Sequence, residues 1–124
     1  MKISDFKKEE HSNILIKLSK ENGMPLLDSI FLPEIGYVID DVAVCFLYKT
    51  DSAICFFENL IISPRVRKAE RTKVFNLMAT TLIDRAIQEG FKIIWGVSDG
   101  VNVPLRLKHH KFEYRNVKFF IRSI

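Results

Sequence analysis

The stretch FFENLIISPRVRKAERTKVFNLMATTLIDRAIQEGFKIIW, residues 56–95, decides the fold. It begins with an apolar run, continues through a basic loop after Pro64, and ends with a second apolar run after Gly90. Between the runs, apolar side chains recur at the spacing of one helical face. These side chains are Phe75, Met78, Ala79, Leu82, Ile83 and Ala86. Glycine is a common helix stop, so a helix ending at Gly90 is predicted to connect two parallel neighbouring strands.

The three strands before this helix are predicted from apolar runs at 36–39, 42–48 and 53–62, the last of which includes the apolar run that opens the stretch above. The last two runs are nearly continuous, which is typical of strands buried on both faces. The segment KTDS between them favours a hairpin. A two-residue turn there would place Cys45 and Cys55 on opposite faces of the sheet, whereas a three-residue loop would bring them face to face. In either register, the two thiols are interpreted as small buried apolar side chains.

The remaining segments complete the predicted order of elements. Ser12 is expected to cap a helix that stops near Gly23. The apolar connection 24–35 contains two prolines and is expected to pack over the core or over a ligand cleft. A shorter helix is predicted to start near Pro104, followed by two short strands within 111–124. The order is therefore helix, three antiparallel strands, helix, strand, helix, strand, strand.

Composition and charge limit the class of protein. With 124 residues, the whole chain, 1–124, is expected to form one domain. Hydrophobic residues make up 48% and charged residues 27%. This is an ordinary globular balance and argues against disorder. The net charge of +4 favours anionic partners such as a nucleotide, a nucleic acid or an acidic protein. No apolar run reaches the length of a membrane span, and the first ten residues are rich in charged side chains. A cytoplasmic protein without membrane association is therefore expected.

The order of elements, with Pro64 and Arg67 following the apolar strand, resembles the Gcn5-related N-acetyltransferase (GNAT) superfamily. In that family an apolar strand leads through a proline to Arg/Gln-x-x-Gly-x-Gly/Ala and then to an amphipathic helix. Residues 32–64, LPEIGYVIDDVAVCFLYKTDSAICFFENLIISP, are also similar to acetyltransferase-fold proteins of tailed bacteriophages. The resemblance covers roughly 30–113. It implies an α/β (α+β) fold with a mixed, mostly antiparallel twisted sheet and helices on both faces, whose first strand comes from residues 1–10.

The resemblance implies acetyl-CoA, or another acyl-CoA, as the cofactor. In the family, loop amides and a helix N-terminus hold its pyrophosphate, where the helix dipole favours an anion. Here Glu70 and Thr72 stand at the positions of the two family glycines, so basic side chains would have to compensate. The cofactor contacts implied by the resemblance are the backbone of Leu60, Ile61 and Ile62 toward the pantetheine arm, and Arg65, Arg67, Lys68, Arg71, Thr72 and Lys73 toward the phosphates.

Two residues are candidates for catalysis. Glu58 interrupts an apolar strand on which the family often places a general base, and a carboxylate there suits deprotonation of an ammonium substrate. The alternative is that Glu58 turns to an open cleft or forms an ion pair with an arginine. Leu107 stands where the family has a tyrosine acid, which leaves Tyr114 as the nearby substitute. Backbone groups near Ile61 would polarise the thioester carbonyl.

Other residues with chemical potential receive simpler interpretations. No metal is expected, because the adjacent His109 and His110 would project about 100° apart on a helix and cannot easily share one ion. Trp95 is interpreted as a core aromatic side chain.

The leading functional hypothesis is acyl transfer from acyl-CoA to an amine. A second hypothesis is a GNAT-fold binding module that has lost its cofactor and is associated with a phage virion or targets the host. A phage-encoded protein would then lie in the host cytoplasm or in the virion. A third is a small basic nucleic-acid-binding protein. The flat apolar C-terminal strand could pair in a homodimer.

Overall fold

The computed structural model describes residues 1–26, 29–96, 106–113, 115 and 122–123. The described elements, in chain order, are β1 (Ile3–Asp5), α1 (Lys8–Glu21), a 3-10 turn (Ser29–Phe31), β2 (Ile35–Ile39), β3 (Ala43–Tyr48), β4 (Ile54–Ile62), α2 (Lys68–Gln88) and β5 (Ile93–Gly96). Residues 106–108 are also helical. The predicted helix start at Pro104, Tyr114 and most of the predicted C-terminal strands lie outside the described residues.

The sheet is mixed and mostly antiparallel, as predicted. Its strand order is β1-β2-β3-β4-β5. The strands β1 to β4 pair antiparallel with one another. The strand β5 then pairs in parallel with β4 after the α2 crossover. The expected first strand is β1. Of the two long helices that the structure describes, α1 packs on one face and α2 on the other, so the predicted mixed sheet with helices on both faces is confirmed.

The larger part of the core lies between α2 and the sheet. The predicted apolar face of α2 is buried except for Ile83, which is half-buried, and Val74 joins it. This face packs on side chains from the three central strands, such as Cys45, Leu47 and Phe57. Apolar burial of this kind is the main source of folding free energy. The 21 residues of α2 supply it over the full height of the sheet.

The helix α1 covers the opposite face, and its predicted start is wrong. Leu15 and Leu18 pack there. The helix begins at Lys8, because the Nδ1 atom of His11 accepts a hydrogen bond from the Lys7 amide at 2.8 Å. This bond satisfies one of the early donors of the helix. The Ser12 hydroxyl instead donates to the Lys8 carbonyl inside the helix, so Ser12 is not the cap.

The predicted stop of α1 is correct. Gly23 follows the helix with φ 62°. Glycine adopts this left-handed conformation without strain.

The hairpin between β3 and β4 differs from both registers considered in the sequence. Five residues, 49–53, separate the strands, and Leu47 pairs with Phe57. The Thr50 hydroxyl donates to the Ile54 carbonyl at 2.6 Å, which stabilises this longer loop. Cys45 and Cys55 therefore share the α2 face of the sheet, buried and free.

Candidate active site

A β-bulge in β4 shapes the candidate site. Phe46 pairs with Glu58, but Val44 pairs with Ile61, so β4 gains one residue relative to β3. Asn59 lies in this bulge with φ 56°. Asparagine tolerates that left-handed conformation better than most residues. The extra residue reverses the alternation of the strand, so that Phe57 packs toward α2 before the bulge and Ile61 packs toward α1 after it.

The pairing between β4 and β5 is described only as far as the bulge. Ile54–Phe57 pair with Ile93–Gly96, and Gly96 is the last described residue of β5. Beyond Phe57, β4 keeps its partner β3 through Ile61 and Ile62. The bulge therefore turns β4 close to the point where the described part of β5 ends.

Leu60, Ile61 and Ile62 continue β4 past the bulge, where Ile61 and Ile62 pair with β3. The Asn22 side chain already donates to the Ile62 carbonyl at 3.3 Å. The pantetheine contact itself stays a prediction.

Glu58 stands next to the bulge, on the α1 side of the sheet. It lies directly opposite Phe46, and its side chain is half-buried. No lysine, arginine or histidine of the described residues forms an ion pair with it. The alternative of an arginine partner therefore has no support in the described part of the chain. A carboxylate without a cationic partner is available to a cationic ligand.

A tyrosine that the sequence analysis missed belongs to the same site. The Asn59 amide donates to the Tyr48 hydroxyl at 2.9 Å, and this hydroxyl donates to the Phe31 carbonyl at 3.1 Å. Burial raises the pKa of Tyr48; the hydrogen bond from Asn59 opposes that shift, and the nearby charge of Glu58 adds to it. In the sequence, Tyr48 is simply the last residue of an apolar strand, and only the bulge brings Asn59 to it.

The start of α2 presents free backbone donors. Within the described residues, the amides of Arg67, Lys68 and Ala69 have no acceptor, as expected for the first turn of a helix. The Arg67 and Lys68 side chains are exposed, and no described carboxylate pairs with them. Unpaired amides, the helix dipole and two cations make this a suitable site for an anion.

Three other predicted phosphate contacts lie in the first turns of α2. Two of them have partners within the protein, and the third is exposed. The Nε atom of Arg71 donates to the Val66 carbonyl at 3.1 Å and braces the loop. The Lys73 ammonium lies 3.6 Å from the Glu70 carboxylate, so part of the added negative charge is neutralised locally. Thr72 is exposed on α2. Glu70 and Thr72 thus lie inside the helix rather than in the loop, and the residues present fit a phosphate group.

Arg65 has partners within the protein, and its predicted contact with phosphate stays a prediction. Its Nε atom lies 2.7 Å from a Glu21 carboxylate oxygen, and Nη2 donates to the Asp41 carbonyl at 3.0 Å. The buried Ser63 hydroxyl donates to the same Glu21 oxygen at 2.9 Å and accepts from the Arg65 amide. The Arg65 guanidinium holds the pKa of Glu21 below its ordinary value. This clamp is made of Glu21, Asp41, Ser63 and Arg65. It ties the loop between β4 and α2, called the phosphate loop for its predicted role, to α1 and to the β2–β3 turn.

Three other sequence-derived assignments have different outcomes. Leu107, at the position of the family's tyrosine, packs against the core on the α2 side. Tyr114 lies outside the described residues, and its catalytic role stays a prediction. The interpretation of Trp95 as a core side chain is wrong, since 53% of it is exposed. It pairs with Phe56 and lies on the face of β5 turned away from α2.

Two further properties concern only the described part of the chain. It contains no group of three or more potential metal-ligating side chains. His110 instead forms a hydrogen bond with Asn76 through Nε2 at 3.0 Å. None of its helices is both long and apolar enough to span a bilayer.

Comparison with known proteins defines the class of fold. No protein-family model matches the sequence, and no curated protein matches it. An acetyltransferase of Trypanosoma brucei superposes with a TM-score of 0.71 at 11% identity, over 98% of this chain and 99% of that one. Glucosamine-6-phosphate N-acetyltransferase of Arabidopsis thaliana gives 0.68 at 10% identity, over 98% and 97%. A GNAT-family acetyltransferase of Streptococcus pneumoniae gives 0.63 at 13% identity, over 98% of both chains.

These likenesses span the chain from end to end, and the chain therefore has the GNAT acetyltransferase fold. At such low sequence identity, these structural similarities establish the fold but not the substrate. The similarity to proteins of tailed bacteriophages stays a prediction.

Proposed function

We propose that this protein is an acyl-CoA-dependent N-acetyltransferase that transfers an acetyl group to a primary amine. The observation that carries the proposal is the position of Glu58. A half-buried carboxylate, without a cationic partner among the described residues, stands beside the bulge of β4, on the strand that leads to the unpaired amides at the start of α2.

Acetyl-CoA, when bound, supplies an acyl group activated as a thioester. The residues that would hold its pyrophosphate are the free amides of Arg67, Lys68 and Ala69, with the side chains of Arg67 and Lys68. Arg71 braces the loop from which these groups project, and the Arg65 clamp fixes that loop to the rest of the fold. A site held in place in advance loses less conformational entropy on binding.

Glu58 prepares the acceptor amine. A primary amine is an ammonium ion near neutral pH and has no lone pair for attack. The Glu58 carboxylate holds the ammonium and accepts one of its protons, either directly or through a water molecule, which frees the lone pair. The Tyr48 hydroxyl and the Asn59 amide fix the bulge beside it, so the carboxylate keeps its position during the transfer.

Calorimetric titration with acetyl-CoA tests the anion site. We expect micromolar binding that Arg67→Glu weakens at least tenfold. Lys92→Glu is the matched control, because it makes the same charge change on an exposed residue beyond the far end of α2. A helix of this length separates the two residues by about 30 Å. Equal losses of acetyl-CoA affinity in both variants would show that the effect comes from net charge. They would exclude Arg67 as a contact of the pyrophosphate.

A coenzyme A thiol-release assay tests Glu58. Glu58→Gln is expected to lower turnover of an accepted amine by a factor of about 10²–10⁴, the usual contribution of a general base. The affinity for acetyl-CoA should stay unchanged in the same variant. A normal turnover number would exclude Glu58 as the base.

A specific observation favours a second candidate. Glu70, in the first turn of α2, places a negative charge where the family has glycine. If the wild-type protein gives no heat with acetyl-CoA at high concentration, the GNAT-fold binding module without cofactor replaces the enzyme as the proposal. Steeply salt-dependent binding to single-stranded or duplex nucleic acid would support the third hypothesis instead.

A further inference from the structure

Three aromatic side chains form a row across the α1 side of the sheet, which begins at Tyr48, at the edge of the α1 core, and runs outward to Trp95. Tyr48 pairs with Phe56, and Phe56 pairs with Trp95, so the three stand next to one another on adjacent strands. The rings of Phe56 and Trp95 meet edge to face with centroids 5.5 Å apart, a favourable geometry for aromatic pairs. Phe31 lies next to the Tyr48 end of the row, because its backbone carbonyl accepts a hydrogen bond from the Tyr48 hydroxyl and both residues line one shallow pocket. These four residues are called the aromatic row below.

The row is open to solvent at both ends. Phe31 is 62% exposed and Trp95 is 53% exposed, while Phe56 and Tyr48 are half-buried. The α1 core instead uses side chains such as Val44 and Phe46. Large aromatic side chains left accessible on a folded surface indicate a binding site for an apolar group.

Glu58 supplies the charge that selects the occupant. It follows Phe56 by two residues on the same face of the strand, a separation of about 7 Å. No cation of the described residues pairs with it, although the chain carries a net charge of +4. Aromatic faces and a carboxylate both attract an ammonium group, whereas a carboxylate repels an anionic ligand.

We propose that the aromatic row is the acceptor site and that the acceptor is a small primary amine carried on an aromatic or bulky apolar body. The apolar body lies on Phe31, Phe56 and Trp95, and the ammonium group reaches Glu58. The spacing between Phe56 and Glu58 fits one ring and a linker of two or three atoms. This inference rests on the proposed acetyl transfer, which brings the amine to Glu58 beside the bulge of β4.

The single tryptophan of the chain lies in the row, so binding is measurable without catalysis. We would titrate the purified protein with 2-phenylethylamine, 2-phenylethanol and ethylamine and follow Trp95 fluorescence. The alcohol keeps the ring without the charge, and ethylamine keeps the charge without the ring. We expect 2-phenylethylamine to bind at least tenfold more tightly than either.

Variants assign the two halves of the ligand. Glu58→Gln should weaken 2-phenylethylamine about tenfold, the loss expected for one charge-assisted hydrogen bond, and leave 2-phenylethanol unchanged. Phe31→Ala should weaken both ligands about fivefold. Ile87→Ala is the control, because Ile87 is 65% exposed on α2, on the other side of the sheet, and should change neither. Circular dichroism melting of each variant establishes that it is folded.

Two results would overturn the inference. One is equal affinity for 2-phenylethylamine and ethylamine in a protein that binds acetyl-CoA normally. The other is a Trp95 emission that shifts with protein concentration, together with a dimer in sedimentation that Phe31→Ala abolishes, because a second copy would then cover the row. Selective amine binding without acetyl-CoA binding would support the row as an amine site and contradict only the proposed transfer reaction.

Discussion

Among the described glycines, Gly36 is the one at which packing leaves the least room for a side chain. A Cβ atom there would lie 2.6 Å from Cδ1 of Phe46 and 3.2 Å from Cβ of Phe6. Phe46 is fully buried and packs edge to face on Phe6 at 5.1 Å. In a close-packed core, a ring held in this way has little room to move. Glycine at this position of β2 therefore admits the ring that fills the α1 core.

Gly36→Ala is expected to lower the free energy of unfolding by about 1–3 kcal/mol, the usual cost of overpacking. Urea unfolding followed by circular dichroism measures this. Gly96→Ala is the control, because the nearest atom to its added Cβ would lie 3.9 Å away. The effect of this control should stay within about 0.5 kcal/mol. Equal effects at the two glycines would show that lost backbone freedom, rather than contact with Phe46, decides.

Cys45 makes the stability depend on alkaline pH. Burial raises the pKa of its thiol from 9.0 to about 12. Between these values the unfolded chain loses the proton and the folded chain keeps it, so stability falls as pH rises from about 9 to about 12. The slope should approach about 1 kcal/mol per pH unit. Urea unfolding at pH 8 and pH 10 measures it, and Cys45→Ala should show a smaller loss than the wild type.

Strand β4 contributes to both parts of the core and to the candidate site, because the alternation of its side chains reverses at the bulge. Its first half points Cys55 and Phe57 into the α2 core, and its second half points Ile61 into the α1 core. A strand without the bulge could not bury both sets, because side chains alternate strictly between faces. The conformation of Asn59 is therefore a requirement of core packing as well as of the site.

Substitutions of Asn59 separate the backbone conformation from the side-chain amide. Asn59→Val places a β-branched side chain in the left-handed conformation of the bulge. It is expected to lower the free energy of unfolding by about 2 kcal/mol. Asn59→Gly keeps the conformation and loses the hydrogen bond to Tyr48, so its loss should be about 1 kcal/mol. Thermal and urea unfolding compare the two, and a glycine variant as unstable as the valine variant would assign the effect to the amide.

The clamp around Arg65 connects parts of the molecule that are distant in sequence. Glu21 ends α1, Asp41 lies in the β2–β3 turn, and Ser63 and Arg65 follow β4. Through it, the position of the phosphate loop depends on a helix from the other face of the sheet. We infer that Arg65 positions the loop rather than contacting phosphate.

Glu21→Gln distinguishes these two roles. If Arg65 positions the loop, the substitution loosens it and weakens acetyl-CoA binding several-fold, as Arg65→Ala also should. If Arg65 is a phosphate ligand, Glu21→Gln releases it and binding becomes tighter, whereas Arg65→Ala weakens it. Calorimetry at physiological salt, where charges beyond about 8 Å are largely screened, measures both variants. Tighter binding by Glu21→Gln would contradict the positioning role.

Much of the architecture could be predicted because it depends on patterns that are local in the chain. The period of the α2 face, the glycine stops at Gly23 and Gly90, and the apolar runs of β3 and β4 each report a physical preference of a short segment. The element order then predicted the parallel pair around α2. The start of α1 was mispredicted because the side chain of His11, rather than Ser12, satisfies the early amide.

The site was predictable only in part. Glu58 and Arg67 stand out in the sequence, one as an acid in an apolar strand and the other as a cation before a helix. Tyr48 and Phe31 do not, because their roles come from contacts across strands and from a loop. Trp95 was misassigned because an apolar strand segment has the same pattern whether or not a helix covers it.

The amino-acid sequence alone was sufficient for the mixed α/β class, for α1, α2 and the strands β2 to β5 in their order, and for choosing Glu58 and Arg67 as candidates, whereas β1 was expected only from the family resemblance. Each of these follows from residues close together in the chain, where periodicity and conformational preference act. The tertiary structure was needed for the bulge at Asn59, the shared face of Cys45 and Cys55, the engagement of Arg65 by Glu21, and the exposed aromatic row. These depend on register and on which surface each helix covers, and both are set by packing between segments far apart in the chain.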